Sequence, residues 1–171
     1  RHDDLLSVNA ATGVLANDWD PQGLALEAEL VTGTQHGTLE LHSDGSFTYT
    51  PEPGFVGTDT FSYRATNGSV ASMPTTVTLE VYNSTPIGHS DRYRVTHGHQ
   101  LDVAAAVGLL LNDKDPDGDA LEAILDTGSA HGTLTLNADG SFTYVPQEGF
   151  IGEDSFTYRL SDGLSQADPI N

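Results

Sequence analysis

The sequence predicts an all-β chain built as two tandem Greek-key β-sandwiches. Three observations carry the prediction: a long internal repeat, a period of two in the apolar residues, and regularly placed turn residues. Gly13-Val14-Leu15-Ala16-Asn17-Asp18 returns 95 residues on as Gly108-Leu109-Leu110-Leu111-Asn112-Asp113. At the same offset His36-Gly37-Thr38-Leu39 returns as His131-Gly132-Thr133-Leu134, and Asp44-Gly45-Ser46-Phe47-Thr48-Tyr49 as Asp139-Gly140-Ser141-Phe142-Thr143-Tyr144. Phe61-Ser62-Tyr63-Arg64 does the same as Phe156-Thr157-Tyr158-Arg159. Self-similarity at one fixed period marks one structural unit per copy.

Within a copy, Leu134-Thr135-Leu136, Phe142-Thr143-Tyr144-Val145 and Phe156-Thr157-Tyr158-Arg159-Leu160 alternate apolar and polar residues. That is the pattern of half-buried antiparallel strands, and their β-branched and aromatic content agrees. Asp44-Gly45 and Asp139-Gly140 fall between two such runs, where a glycine at positive φ closes a hairpin. The runs total about seven strands in roughly 95 residues, the size and turn spacing of an immunoglobulin-like sandwich. The one helical candidate, Val103 to Leu111, is too short and too β-branched at its start to alter the class.

The expected domains are residues 1–83 and 84–171, divided in Tyr82-Asn83-Ser84-Thr85-Pro86-Ile87, where turn residues punctuate two strand-like runs. Nothing ahead of His2 matches Asp91 to Val95, so the first copy is expected to lack its opening strand. Nothing follows Asn171 to match Thr75 to Val81, so the second is expected to lack its closing strand. Arg1 to Val8 carries no signal-peptide core, and the sequence is therefore expected to begin inside a larger chain. No apolar run approaches the roughly 18 residues of a membrane span, so no membrane insertion is expected.

Across 171 residues, 25 Asp and Glu face 6 Lys and Arg, a formal net charge of -19. Such a chain repels nucleic acid. It has no Cys, which excludes disulfides, thiolate metal sites and a cysteine nucleophile. No nucleophile elbow, phosphate-cradling glycine loop or zincin motif occurs, and the expectation is that the chain is not an enzyme.

The residues richest in chemistry are Asn112-Asp113-Lys114-Asp115-Pro116-Asp117-Gly118-Asp119, with four carboxylates at alternating positions around a turn. Crowded carboxylates repel one another, whereas Ca²⁺ takes about six to eight oxygens and turns that repulsion into folding energy. The order Asp-x-Asp-x-Asp-Gly also opens an EF-hand loop, but Ile124 stands where the bidentate Glu would be, and no helices flank it. The plain alternative is a solvated acidic turn chosen for its backbone properties. The expected ligands are Asn112, Asp113, Asp115, Asp117 and Asp119 in copy two. Asp18 and Asp20 are their thinner counterparts in copy one, where Gln22 and Leu24 replace two of the carboxylates. Asp59 and Asp154, each just ahead of a Phe-x-Tyr strand, are further candidates, with turn capping as the alternative.

Other features have ordinary readings beside functional ones. His97-Gly98-His99 has metal-site spacing but is expected as an exposed turn. His36 and His131 repeat ahead of a glycine, which points to a structural hydrogen bond. Trp19 projects from the loop of copy one where copy two has Lys114, and is placed either to stack on a sugar or to pack on a strand. Arg64 and Arg159 are expected to pair with sheet-face carboxylates.

Taken together, Gly-Val-Leu-Ala-Asn-Asp-x-Asp-Pro, His-Gly-Thr-Leu, Asp-Gly-Ser-Phe-Thr-Tyr and Gly-Phe-x-Gly-x-Asp-x-Phe-x-Tyr resemble the bacterial cadherin-like tandem repeats of large surface proteins and RTX-type adhesins. The resemblance covers nearly the whole chain. It implies a β-sandwich, Ca²⁺ in loops and between domains, a secreted or cell-surface location, and work as a structural or adhesive unit in cell adhesion, aggregation or biofilm. The partners it implies are neighbouring repeats of the same chain, with surface polysaccharide and homophilic contacts beyond them. Some relatives look like calcium-dependent polysaccharide binders, which is the alternative function. Members usually carry a paired Asp ahead of the opening strand; here Ser90-Asp91 stands there, so Asp91 is the one linker ligand expected.

Overall fold

A computed structural model describes residues Arg1 to Asn171 as β-structure in several small antiparallel sheets, arranged in two compact units, Arg1–Asn83 and Ser84–Asn171. The first unit has six strands: β1 (Leu6–Val8), β2 (Glu27–Thr32), β3 (Gly37–Leu41), β4 (Phe47–Pro51), β5 (Gly57–Thr66) and β6 (Thr75–Val81). One sheet runs β1-β4-β3 and the other β2-β5-β6. The second unit has β7 (Leu101–Val103), β8 (Glu122–Thr127), β9 (Gly132–Leu136), β10 (Phe142–Pro146) and β11 (Thr157–Ser161). Its sheets are β7-β10-β9 and β8-β11.

Alternation along each strand builds the cores. In β4 Phe47 and Tyr49 point inward, and in β5 Phe61 and Tyr63 do so, in one core with Leu79 and Val81 of β6. The second unit repeats this with Phe142 and Tyr144 of β10 against Tyr158 and Leu160 of β11. Each buried aromatic or Leu side chain contributes about 1.5–3 kcal/mol of transfer free energy. Phe61 meets Phe47 edge-to-face at 5.4 Å, and Phe156 meets Phe142 likewise at 5.5 Å.

The Asp-Gly turns close β3 onto β4 and β9 onto β10, with Gly45 at φ 84° and Gly140 at φ 77°. Each of these glycines serves a second purpose. Its carbonyl accepts the N–H of Val14 at 2.9 Å or of Leu109 at 3.1 Å, which draws the Gly13 and Gly108 backbones against it. A Cβ on Gly13 would lie 2.1 Å from the Gly45 oxygen, and one on Gly108 would lie 2.5 Å from that of Gly140. The glycines of the repeat are therefore demanded by close backbone approach as well as by turn geometry.

Val103 to Leu111, the helical candidate too short to alter the class, holds two 3₁₀ turns, Ala105–Val107 and Leu109–Leu111. One expectation is corrected. Asp91 to Val95 does not enter a sheet as an opening strand. Its neighbour Ile87 forms a single bridge with Lys114, and Tyr93 packs edge-to-face on Phe142 at 5.0 Å, so this segment is held by side-chain packing. The Arg expectation is met: Arg64 Nε lies 3.7 Å from Glu29, and Arg159 Nε donates to Asp126 at 2.9 Å. Glu29 is directly opposite Arg64 in the register, whereas Ile124 is opposite Arg159, so that arginine reaches a diagonal neighbour.

Candidate metal centre

The sequence-predicted carboxylates fall into three distinct environments. Asp59, on β5 and only 3% exposed, spans the two sheets of its unit. Its Oδ1 accepts the N–H groups of Gln35 at 2.9 Å and Thr60 at 2.8 Å; its Oδ2 accepts the N–H of His36 at 2.8 Å and the Tyr49 hydroxyl at 3.0 Å. Burial alone would raise its pKa, yet these four donors hold it below the ordinary carboxylate range. Asp154 has the same set: Ala130, His131 and Ser155 N–H and the Tyr144 hydroxyl. Both are filled by donors, which is the turn-capping alternative, and neither joins the acidic loop residues in a cluster. Burial first, and then the Asp59 and Asp154 hydrogen bonds, push Tyr49 and Tyr144 up to about 12.

His36 and His131 owe their repetition to this latch and to stacking. Their backbone N–H groups bond the aspartates, while their rings stack on Phe55 and Phe150 at 4.5 Å. The expected structural hydrogen bond is thus made by the main chain. His97-Gly98-His99 is an exposed turn.

The second environment surrounds Tyr158, which is 1% exposed. Its hydroxyl oxygen lies 3.0 Å from Asp113 Oδ2 and 3.1 Å from Asp91 Oδ2. A phenol has one proton, so it serves one of these carboxylates at a time. Asp113 Oδ1 also accepts the His89 N–H at 2.7 Å. Burial, and then the charge of Asp113, push Asp91 up, against hydrogen bonds from Tyr158 and Asn112. In the first unit the Asp18 carboxylate meets Tyr63 alone, at 2.8 Å.

The third environment is the acidic turn itself. Asp115 Oδ1 caps the turn, accepting N–H groups of Asp117 at 2.7 Å, Gly118 at 3.1 Å and Asp119 at 3.3 Å. Its Oδ2 is buried and accepts no hydrogen bond. Asp115, Asp119 and Asp162 bring carboxylate oxygens within 4.8 Å of one another. Asp117 is engaged elsewhere, accepting the Ser84 N–H and, at 3.1 Å, the Ser84 hydroxyl. Asp162 follows β11 and was not among the expected ligands. Its side chain caps its own turn, accepting the N–H groups of Leu164 and Ser165 on Oδ1 and the Ser165 hydroxyl on Oδ2. Sequence reasoning passed over it because Asp162-Gly163 reads as an ordinary turn. The available signal was Asn67-Gly68 at the same place in the copy with the thinner loop.

Three carboxylates with oxygens this close, one of them Asp115 with its buried and donorless Oδ2, make a donor set of the kind a hard cation takes. A model of the bacterial cadherin-like domain matches residues 2–82 and again residues 83–169. The chain belongs to the bacterial cadherin-like family. Cadherin-like domains of this kind are non-catalytic modules, generally bind calcium and are usually extracellular. No helix in this cadherin-like chain is long and apolar enough to cross a membrane. No curated protein matches it. Among solved structures it is similar to the endo-fucoidan hydrolase MfFcnA4 from glycoside hydrolase family 107, with 21% identity over 87% of this chain and 23% of that one, at a TM-score of 0.34. It is also similar to the endo-fucoidan hydrolase MfFcnA9 of the same family, with 24% identity over 89% of this chain and 28% of that one, at a TM-score of 0.32. The chain spans about a quarter of the length of those proteins.

Proposed function

We propose that the chain is a calcium-binding structural and adhesive repeat pair of a secreted or cell-surface protein, acting in cell adhesion, aggregation or biofilm. The observation that carries this reading is the bare, buried Asp115 Oδ2 beside Asp119 and Asp162. Ca²⁺ held there would tie the loop after the 3₁₀ turns to the turn after β11, cross-linking two segments distant in sequence. Function is then mechanical: an ion-stiffened repeat keeps its shape under load and transmits it to neighbouring repeats. Because the ion binds the folded state, free calcium at 100 times its Kd adds about 2.7 kcal/mol of stability. Chelation is expected to lower the thermal midpoint by several degrees and added Ca²⁺ to restore it. A midpoint that ignores both treatments, with no ion bound in calorimetry, overturns the reading.

Trp19 favours a second reading, calcium-dependent glycan binding. It is 76% exposed and lines a shallow groove with Asp18, Asp20, Leu24 and Asp44. An exposed indole offers a flat apolar face to a sugar ring, and carboxylates at the groove edge accept sugar hydroxyls. Trp19 is the chain's single tryptophan, so its fluorescence reports the groove alone. Titration with oligosaccharides, with and without Ca²⁺, is expected to shift its emission; unchanged emission up to millimolar sugar would remove this reading.

A further inference from the structure

The two copies of the acidic turn solve one electrostatic problem in different ways. Asp20 is the counterpart of Asp115, and its Oδ1 caps the turn in the same manner, accepting Gln22 N–H at 2.8 Å and Leu24 N–H at 3.2 Å. Asn67 is the counterpart of Asp162. Its Oδ1 accepts the N–H groups of Ser69 at 3.0 Å and Val70 at 2.9 Å, the positions matching Leu164 and Ser165. The difference lies in the remaining atom of each side chain. In the first unit that atom is the Asn67 amide nitrogen, which donates to Asp20 Oδ2 at 2.9 Å. In the second unit it is a carboxylate oxygen, and Asp115 Oδ2 receives no donor.

We infer that Asn67 stands in for the cation, so that the first unit closes its loop by a neutral amide hydrogen bond without an ion, while the second depends on one. Leu24 in place of Asp119 fits the same account, because a third carboxylate has no use where no ion is held. The residue at 67 or 162 thereby decides which repeats of this chain respond to calcium. The inference rests on the calcium reading above for its second half only.

The test compares Asn67→Asp and Asp162→Asn in the full chain by thermal melting, in chelator and in Ca²⁺, with calorimetric ion counts. In chelator, Asp162→Asn is expected to raise the midpoint of the second unit by about 4 °C, the scale of one new hydrogen bond and one lost like-charge contact in a domain of this size. Asn67→Asp is expected to lower that of the first by a similar amount. In Ca²⁺, Asp162→Asn should lose an ion relative to the unaltered chain, and Asn67→Asp with Leu24→Asp should gain one. If Asp162→Asn fails to stabilise in chelator, or Asn67→Asp melts unchanged, the inference falls. If both chelator results appear but no variant alters ion binding, the amide substitution stands and the calcium reading falls. The Asp162→Asn arm remains informative even where the paired variant does not fold.

Discussion

Asp59→Ala is expected to destabilise the first unit by about 3–4 kcal/mol, making it the most damaging single polar substitution in the chain. Three backbone N–H groups and the Tyr49 hydroxyl would lose their acceptor at a site 3% exposed to solvent. Each orphaned buried donor costs about 1–3 kcal/mol, offset in part by water entering the space. Asp59→Asn should be nearly as harmful, since its amide NH₂ would face other donors, whereas Tyr49→Phe removes one donor and should cost about 1 kcal/mol. Denaturant melts of the three variants check the order, and a loss below about 1 kcal/mol for Asp59→Ala would refute the latch. The pH dependence follows in sign. Asp59 and Asp154 are held below the unfolded value of about 3.9. The unfolded chain therefore takes up protons that the folded chain refuses, so their contribution is complete above that pH and lost as pH falls through their folded values. Asp59→Ala should flatten the acid limb of the stability profile.

Leu160→Ala is expected to cost the second unit about 3–4 kcal/mol, within the range for emptying a leucine site that cannot collapse. Leu160 is wholly buried, packed in the core with Tyr158 and Phe142, and one of its methyl carbons lies 3.0 Å from where a Cβ on Gly88 would stand. The neighbouring rings are wedged edge-to-face and have little freedom to fill the void. Leu111→Ala, at a residue 70% exposed, serves as the control and should change stability by less than about 0.5 kcal/mol. Equal effects of the two substitutions would contradict this placement of the core.

Much of the fold was legible because the repeat tests itself. A strand proposed from Phe142-Thr143-Tyr144 is proposed again from Phe47-Thr48-Tyr49, and the Asp-Gly turns occupy one place in both copies. Asp91 to Val95 misled because alternation also occurs in segments that bury Tyr93 by packing on Phe142 without joining a ladder. The candidate site was half legible. Asp115 and Asp119 stand out by spacing, but Asp117 turns to Ser84, and Asp59 and Asp154 are consumed by N–H donors. Spacing along a chain counts carboxylates without counting the donors that folding brings to them.

By itself the sequence determined the repeat, the β class, the acidic turn and the inequality of its two copies, because periodicity and turn chemistry are local properties. Only the tertiary structure decided which oxygens lack a donor. Asp162 lies far along the chain from Asp115, and the same distance separates Asn67 from Asp20; folding makes each pair neighbours. One atom then separates the two copies, an amide nitrogen that supplies a proton or a carboxylate oxygen that supplies none.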